Sequence, residues 1–548
     1  MVVVKTKKWL SREEFEELLK ISDYLGYDQE YKRFSINVEK AFRNGYSLED
    51  IKELIKDLSL EVEGSLESLK TFFEALTPRL EWDSAKGLIK IHVPKGAYFK
   101  LRNILSSLGA YKSAETPEAL VFNLYPHRLK LLVEQSQRAG ISFEDPYKLT
   151  SEKPLPFKPE LKNIELRDYQ KEALEKWLSN NGQGIIALPT GAGKTIIAIA
   201  ALVSKPVKTL IIVYTKEQMF QWKDFIIRTT NLPSSMVGLV YSESKQLAPV
   251  TVTTYQSGFR QINSISPFFD QLIVDEVHHL PAEKFRYIAI HSIARYRMGL
   301  SATPVREDGK HEELFPLLGG IIYYKTPEEL VEKGYLARYV IKTIRVKMTP
   351  EEKKEYMQLR NQFQALAKGR KFEEIVEDAS RGDPSAIEAL RIHGRIKNLL
   401  AHSETKINKA IEIAMRELEK GSKIIIFTQF VDQAEKIAEK LGGFLLTGEI
   451  PASERKKALE AFKKADKGVL VVTTVGDEGL DIPDANVGIL VSGTGSRRQF
   501  IQRLGRLLRP GKKEAVLYEL VFEKTSEEYQ AYKRKRLELD LEEEEDSS

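Results

Sequence analysis

Apolar and polar positions along this chain alternate in two rhythms, and the rhythm changes near residue 164. In "SREEFEELLKISDYL" (11–25), Phe15, Leu18, Leu19 and Ile21 recur at helical spacing behind a Ser11 cap. "SLEDIKELIKDL" (47–58) repeats the device, with Ser47 followed three residues later by Asp50. On this periodicity residues 1 to about 80 are predicted to be mostly helical. "GLIKIHV" (87–93) then alternates like a strand, and "AYFKLRNILSSLGA" (97–110) returns to helical spacing. "ALVFNLYP" (119–126) is a further strand candidate, followed by helix-like "HRLKLLVEQSQRAG". The segment "EDPYKLTSEKPLPFKPELKN" (144–163) carries four prolines and is predicted to be a linker separating the front half from the rest.

Beyond it, short continuous apolar runs take over: "GIIALP", "TLIIVYT", "VTVTTYQ", "QLIVDE" and "YRMGLSATP", several separated by helical stretches. Such runs predict parallel strands covered on both faces. A second set contains "SKIIIFTQF" (422–430), "GFLLTGE", "GVLVVTT", "VGILVSG" and "AVLYELV". Between the sets, residues 349–418 are charged and helical, opening with Thr349 as cap and Pro350 at the first helical position. The expected fold is α/β: two tandem parallel-sheet domains with a helical insertion and an N-terminal α+β region. The expected divisions are 1–80, 81–160 (an α+β region and the linker), 161–325 and 326–548. The last contains the insertion near 349–404 and the acidic tail "LELDLEEEEDSS".

Composition changes this picture in three ways. The 548 residues exceed what one core organises. No cysteine is present, which excludes disulfides, thiolate chemistry and cysteine-bound metals. The formal charge of +5 sets 84 basic against 79 acidic side chains, so any basic surface must be local. No leader-like or membrane-length apolar segment is read, and a cytoplasmic location is the default expectation.

The chemistry concentrates at strand ends. "ALPTGAGKTIIAIA" (187–200) leaves a strand and opens a helix, the context of a phosphate loop. Gly191 and Gly193 would let the backbone wrap phosphates. Lys194 would reach β- and γ-phosphate oxygens, and Thr195 would place its hydroxyl on magnesium. Leu188 stands where the full pattern has its first glycine. "LIVDEVHHLP" (272–281) taken alone admits a metal cluster, a solvated turn or the magnesium end of an ATP site. Beside a phosphate loop the third reading is preferred: Asp275 is the magnesium-side carboxylate and Glu276 activates the attacking water. His278 is then a sensor toward the opposite domain rather than a zinc ligand, since no HExxH is present.

Further stretches complete a motor. "LRDYQKEAL" (166–174) offers Gln170 to an adenine edge, with Arg167 or Tyr169 packing on the base. "SATP" would couple the pocket to a domain interface through Ser301 and Thr303. "TTVGDEGLDIP" places Gly479 and Asp481 on a loop after a strand, for an interdomain ATP-site role. "QFIQRLGRLLRP" supplies Gln502, Arg506 and Arg509; the two arginines share one helical face, as a γ-phosphate finger requires.

This ordered set, over roughly residues 164–530, resembles superfamily-two helicases and translocases with a DExH box. "SATPVREDGKHEELFPLLGG" narrows the resemblance: Arg306-Glu307-Asp308 resembles the RED element of the XPB family of repair and transcription helicases, archaeal type. The resemblance implies two RecA-like domains closing on ATP and magnesium. It also implies a RED element that opens or distorts duplex or forked DNA, and a thumb within 349–404 that grips it. The family's front end is linked to damage recognition, its role to nucleotide excision repair, and a structure-specific nuclease to partnership. Local positive charge at Lys368, Arg370, Lys371, Arg391, Arg395 and Lys397 would hold backbone phosphate. Two alternatives stay open: another superfamily-two motor, such as an RNA helicase or restriction-type translocase, and a clamp that binds nucleotide without cleaving it.

Overall fold

The computed structural model describes residues 2–28, 30–279, 283–302, 315–336, 339–473, 485–491, 515–529 and 531. The chain opens with β1 (Val3–Thr6), α1 (Arg12–Ile21), β2 (Ser22–Asp28), β3 (Tyr31–Ile36), α2 (Val38–Arg43), α3 (Leu48–Asp57), β4 (Glu61–Glu63) and α4 (Ser68–Ala75). The strands form a sheet in the order β2-β3-β1-β4. Both predicted caps are present as reciprocal capping boxes, Ser11 with Glu14 and Ser47 with Asp50. The mostly helical expectation is nevertheless corrected. β2 is exposed at nearly every position and bulged between Tyr24 and Gly26, so it carries no period-two signal.

A second antiparallel sheet follows: β5 (Arg79–Asp83), β6 (Leu88–Pro94), α5 (Tyr98–Ser107), β7 (Tyr111–Glu115), β8 (Ala119–Leu124) and α6 (Leu129–Arg138), in strand order β5-β6-β8-β7. Its core of Leu80, Ile89, Ile91, Leu101, Leu105, Leu124 and Leu132 also takes in Ile293 from the next unit. Trp82 Nε1 donates to the Asn263 carbonyl at 3.0 Å, and His127 Nδ1 lies 3.2 Å from the Ile290 carbonyl. The proline-rich segment does not hang between units. Leu155 N donates to Pro206 O, Lys208 N to Lys153 O and Lys162 N to Thr229 O. The Lys153 ammonium lies 3.3 Å from buried Asp270.

The first α/β unit contains α7 (Asp168–Ser179), β9 (Gln183–Ala187), α8 (Lys194–Ser204), β10 (Thr209–Val213), α9 (Lys216–Thr229), β11 (Val237–Tyr241), β12 (Ser244–Lys245), β13 (Val250–Thr254), α10 (Tyr255–Ile265), β14 (Gln271–Val274), α11 (Glu283–Ile290), β15 (Tyr296–Ser301), α12 (Phe315–Leu318), β16 (Ile321–Tyr324) and α13 (Pro327–Glu332). Its sheet runs β12-β11-β13-β10-β14-β15-β9-β16, parallel throughout except for β12. β10, β13 and β14 are buried along their length, which is why they read as unbroken apolar runs.

The second α/β unit begins with β17 (Tyr339–Val346). It continues through α14 (Pro350–Ala367), α15 (Phe372–Ser380), α16 (Pro384–Ala401) and α17 (Glu404–Glu419) before β18 (Lys423–Thr428). α18 (Val431–Leu441), β19 (Phe444–Leu446), α19 (Ala452–Lys464), β20 (Gly468–Thr473), β21 (Val487–Leu490) and β22 (Ala515–Phe522) complete it. The six strands run β17-β22-β21-β18-β20-β19, all parallel. The helical insertion thus leaves the sheet after β17 and returns before β18.

Candidate ATP site

The strand order brings three sequence motifs to the C-terminal ends of adjacent strands inside the sheet. β15 lies between β9 and β14, so the loop after β9, Ser301 at the end of β15 and Asp275 after β14 are neighbours. Leu188 N donates to Ser301 O at 3.0 Å, linking the phosphate loop directly to "SATP". Gly193 caps α8 at φ +77°, and a Cβ there would lie 2.5 Å from Gln170 Nε2. Glycine is therefore required by both conformation and space. The Lys194 ammonium donates to the carbonyls of Leu188 (2.9 Å) and Pro189 (3.3 Å), folding back along the loop that precedes it. Thr195 follows it in the first turn of α8.

Gln170 is only 2% exposed. Its amide oxygen accepts from Arg167 N at 2.9 Å and its amide nitrogen donates to Ala192 O at 3.1 Å. Tyr169 donates its hydroxyl to the same Ala192 oxygen at 2.7 Å. These two side chains brace the loop from behind. Arg167 donates to Tyr335 O at 3.0 Å.

Asp275 and Glu276 form the acidic half. Burial, and then the neighbouring charge of Glu276, push the Asp275 carboxyl up to about 6, while the Trp222 hydrogen bond and Lys194 oppose the rise. Glu276 Oε2 is buried without a hydrogen-bond partner and lies 3.3 Å from His278 Nδ1. Two adjacent part-buried carboxylates, one with a buried oxygen left unsatisfied, are costly unless a cation shares the site. The all-oxygen set of Asp275 and the Thr195 hydroxyl suits magnesium. Glu276 adopts φ +49°, a left-handed conformation that L side chains rarely take.

Motif reading missed two residues here. Trp222 on α9 donates Nε1–H to Asp275 Oδ2 at 2.8 Å. Tyr255, the first residue of α10, places its hydroxyl 3.1 Å from Asp275 O and 3.3 Å from Glu276 O. Each belongs to an amphipathic helix and reads in sequence as ordinary core, so no local signal distinguishes it.

Thr303, Arg306, Glu307, Asp308, Gly479, Asp481, Gln502, Arg506 and Arg509 lie outside the described residues. In the thumb, the six basic candidates do not form one patch. Arg370 is tied internally: its guanidinium bonds Asp378 (2.8 Å), Leu366 O (2.9 Å), Ala367 O (3.2 Å) and Ser385 Oγ (3.0 Å). It fastens α14, α15 and α16 together, which corrects its expected place on a phosphate-holding surface. Lys368 and Lys371 are exposed at the α14–α15 turn. Arg391 and Arg395 share a face of α16, whereas Lys397, two residues on, lies about 200° around the helix from Arg395.

A phosphate loop and adjacent carboxylates on one parallel sheet, followed by a second parallel sheet, define an ATP-driven motor of the RecA-like helicase class. A family model described as "Type III restriction enzyme, res subunit" matches residues 163–306. A second, "ERCC3/RAD25/XPB C-terminal helicase", matches residues 388–541. "DNA 3'-5' translocase XPB2" of Sulfurisphaera tokodaii is 40% identical over 391 residues, covering 70% of this chain and 87% of the relative. "Putative DNA 3'-5' helicase Rad25" of Halobacterium salinarum is 30% identical, covering 80% and 65% respectively. The solved Hef helicase domain of Pyrococcus furiosus overlays with a TM-score of 0.48 at 22% identity, covering 67% of this chain and 98% of that one. The chain belongs to the XPB/Rad25 family of DNA helicases and translocases. No helix among the described residues is long and apolar enough to cross a membrane.

Proposed function

We propose that this chain hydrolyses ATP with magnesium to move 3'-5' along DNA, opening or distorting duplex or forked DNA during nucleotide excision repair. The observation that carries this reading is the convergence of loop, Ser301 and adjacent carboxylates on three neighbouring strand ends in an XPB-family chain. Lys194 binds the β- and γ-phosphates, and Gly191 and Gly193 let backbone N–H groups approach them. Thr195 and Asp275 would hold magnesium, whose charge would offset that of the phosphates when bound. Glu276 accepts the proton of the attacking water. Gln170 and Tyr169 hold the loop in shape, and Arg167 packs at the base-binding edge. Ser301 and Thr303 relay closure, and His278 faces the opposite domain. Gln502, Arg506 and Arg509, with Gly479 and Asp481, complete the site from the second α/β unit.

Arg306, Glu307 and Asp308 work on the DNA rather than on ATP. Lys368, Lys371, Arg391, Arg395 and Lys397 contact backbone phosphate, and the front units inspect the duplex for damage. Strand incision is left to a structure-specific nuclease partner, which should copurify with the chain if this reading holds.

The test is a single set of assays. Glu276→Gln should bind nucleotide yet lose DNA-stimulated hydrolysis, and Arg506→Ala or Arg509→Ala should lose hydrolysis more than binding. Alanine at Arg306, Glu307 and Asp308 together should keep most ATPase activity but lose fork opening. Normal turnover by folded Glu276→Gln would sink the catalytic reading. The match of residues 163–306 to a restriction-type subunit favours one second reading, a motor that translocates on duplex DNA without separating strands. Unchanged fork opening by the triple variant would leave Arg306, Glu307 and Asp308 a charged turn, whereas translocation with no fork opening by the wild type would favour the second reading.

A further inference from the structure

Three observations around the Asp275–Glu276 pair are not needed by the phosphate-loop chemistry, and they converge. Both Asp275 oxygens are already engaged: Oδ1 accepts from Glu276 N at 2.9 Å, and Oδ2 accepts from Trp222 Nε1 at 2.8 Å. Each oxygen therefore keeps a lone pair, but the carboxylate plane is fixed. The backbone turns into the left-handed region at Glu276, φ +49°, where a non-glycine residue persists only if its surroundings hold it. The Tyr255 hydroxyl sits against the carbonyls on both sides of that turn, and the residue is 1% exposed. Tyr255 is fixed in turn by the Thr254 cap of α10, whose side chain accepts from Ser257 N.

We propose that Trp222 and Tyr255 are positioning residues for ATP hydrolysis, the first orienting the metal-side carboxylate and the second clamping the strained turn that aims Glu276. The proposal rests on the assignment of Asp275 to magnesium and Glu276 to water. The two residues have separable tasks. Losing the indole N–H frees the Asp275 carboxylate to rotate and so weakens metal capture. Losing the phenol hydroxyl lets the Glu276 backbone relax and so lowers turnover with metal capture intact.

Trp222 also stands on a helix that reaches the second α/β unit. Glu217, in the first turn of α9, lies 3.4 Å from the Arg455 guanidinium on α19, and Arg455 Nε is buried without a hydrogen-bond partner. α9 thus connects, through five residues of rigid helix, a contact between the two sheet units and the oxygen that Trp222 holds.

The experiment compares wild type, Trp222→Phe and Tyr255→Phe in the full chain with DNA present. For Trp222→Phe, the magnesium concentration for half-maximal hydrolysis should rise about tenfold or more, the usual consequence of removing an outer-sphere partner of a metal ligand. Its affinity for a fluorescent ADP analogue in EDTA should stay within about twofold of wild type, as expected when phosphate contacts are untouched. Tyr255→Phe should lower kcat about tenfold, since misplacing a catalytic group slows the reaction without touching metal capture, with an unchanged magnesium midpoint. A parallel readout needs no variant. Among the four indole N–H resonances of 15N-labelled wild type, one buried signal should shift when magnesium is added to the ADP complex.

Folded variants with wild-type magnesium midpoints and kcat would overturn the proposal. So would four indole signals indifferent to magnesium, which keeps the test decisive if either variant misfolds. Glu276→Gln measured alongside separates the two levels: if it hydrolyses normally the underlying assignment fails, and if it is dead while both aromatic variants are normal only the positioning roles fail.

Discussion

Glu276 combines strain with repulsion, and the second can be relieved without touching the first. Its backbone occupies the left-handed region, and its charge adds to the burial that pushes the Asp275 carboxyl up to about 6. Glu276→Gln keeps the shape but removes the like charge, so it should stabilise the fold by on the order of 1 kcal/mol while stopping hydrolysis. A thermal melt showing a lower Tm than wild type would contradict this. Gly193→Ala acts in the opposite direction. The added methyl meets the Gln170 amide and the φ of +77° disfavours it, so we expect about 1–2 kcal/mol lost and at least a tenfold fall in kcat/KM. The residues legible in the sequence were those whose chemistry depends on spacing along one turn: Gly191, Gly193 and Lys194, and the Asp275–Glu276 pair. Trp222 and Tyr255 were illegible because each meets the acids only after separate helices pack on the same sheet. Gln170 was visible, but the direction of its amide toward Ala192 was not.

At the scale of elements, one side chain unites several. Arg297 on β15 is 3% exposed, and burial rather than any charged partner among the described residues sets its ionisation. Its guanidinium donates to the carbonyls of Ala294, Ala289, Leu317 and Ser292 at 2.6–3.0 Å, joining β15 to α11 and α12. Burial lowers its pKa to about 10, which leaves it charged at neutral pH. Arg297→Lys has the charge without the fork and should cost about 2–4 kcal/mol in denaturant unfolding; a loss below about 1 kcal/mol would show the carbonyls to be satisfied otherwise. In the thumb, Arg370→Ala should lower the thermal stability of α14–α16. Lys371→Ala or Arg395→Ala should instead leave melting unchanged and reduce the salt slope of DNA binding by about one each. Equal effects of all three on melting would show that Arg370 does not fasten the thumb helices. The parallel strands and the inserted helices were legible because buried runs and caps are local signals. β1 to β4 were not, because β2 shows water on both faces and its bulge breaks the alternation.

Across the whole molecule, the front units and the motor share one polar seam. His127 abuts Ile290 O while burial, and then the nearby Arg297 charge, push its pKa down from the usual 6.5 to about 3. The folded protein therefore disfavours a proton that the unfolded chain accepts. Stability is intact above about pH 6.5 and is lost as pH falls from there toward 3. For a half-buried group the loss between pH 7 and pH 5 should be about 1–2 kcal/mol. His127→Asn, which keeps an N–H toward Ile290 O, should flatten that slope; identical pH profiles of Tm for the two proteins would exclude His127 as its source. The sequence marked residues 144–163 as a separator because prolines break regular structure. Those prolines instead hold an extended strap whose backbone bonds to the edges of the first α/β unit and whose Lys153 meets buried Asp270. A strap bonded along its length has no slack. Whatever the second antiparallel sheet touches is therefore held close to the frame that carries the phosphate loop, like a gauge bolted to an engine, and travels with it at each step.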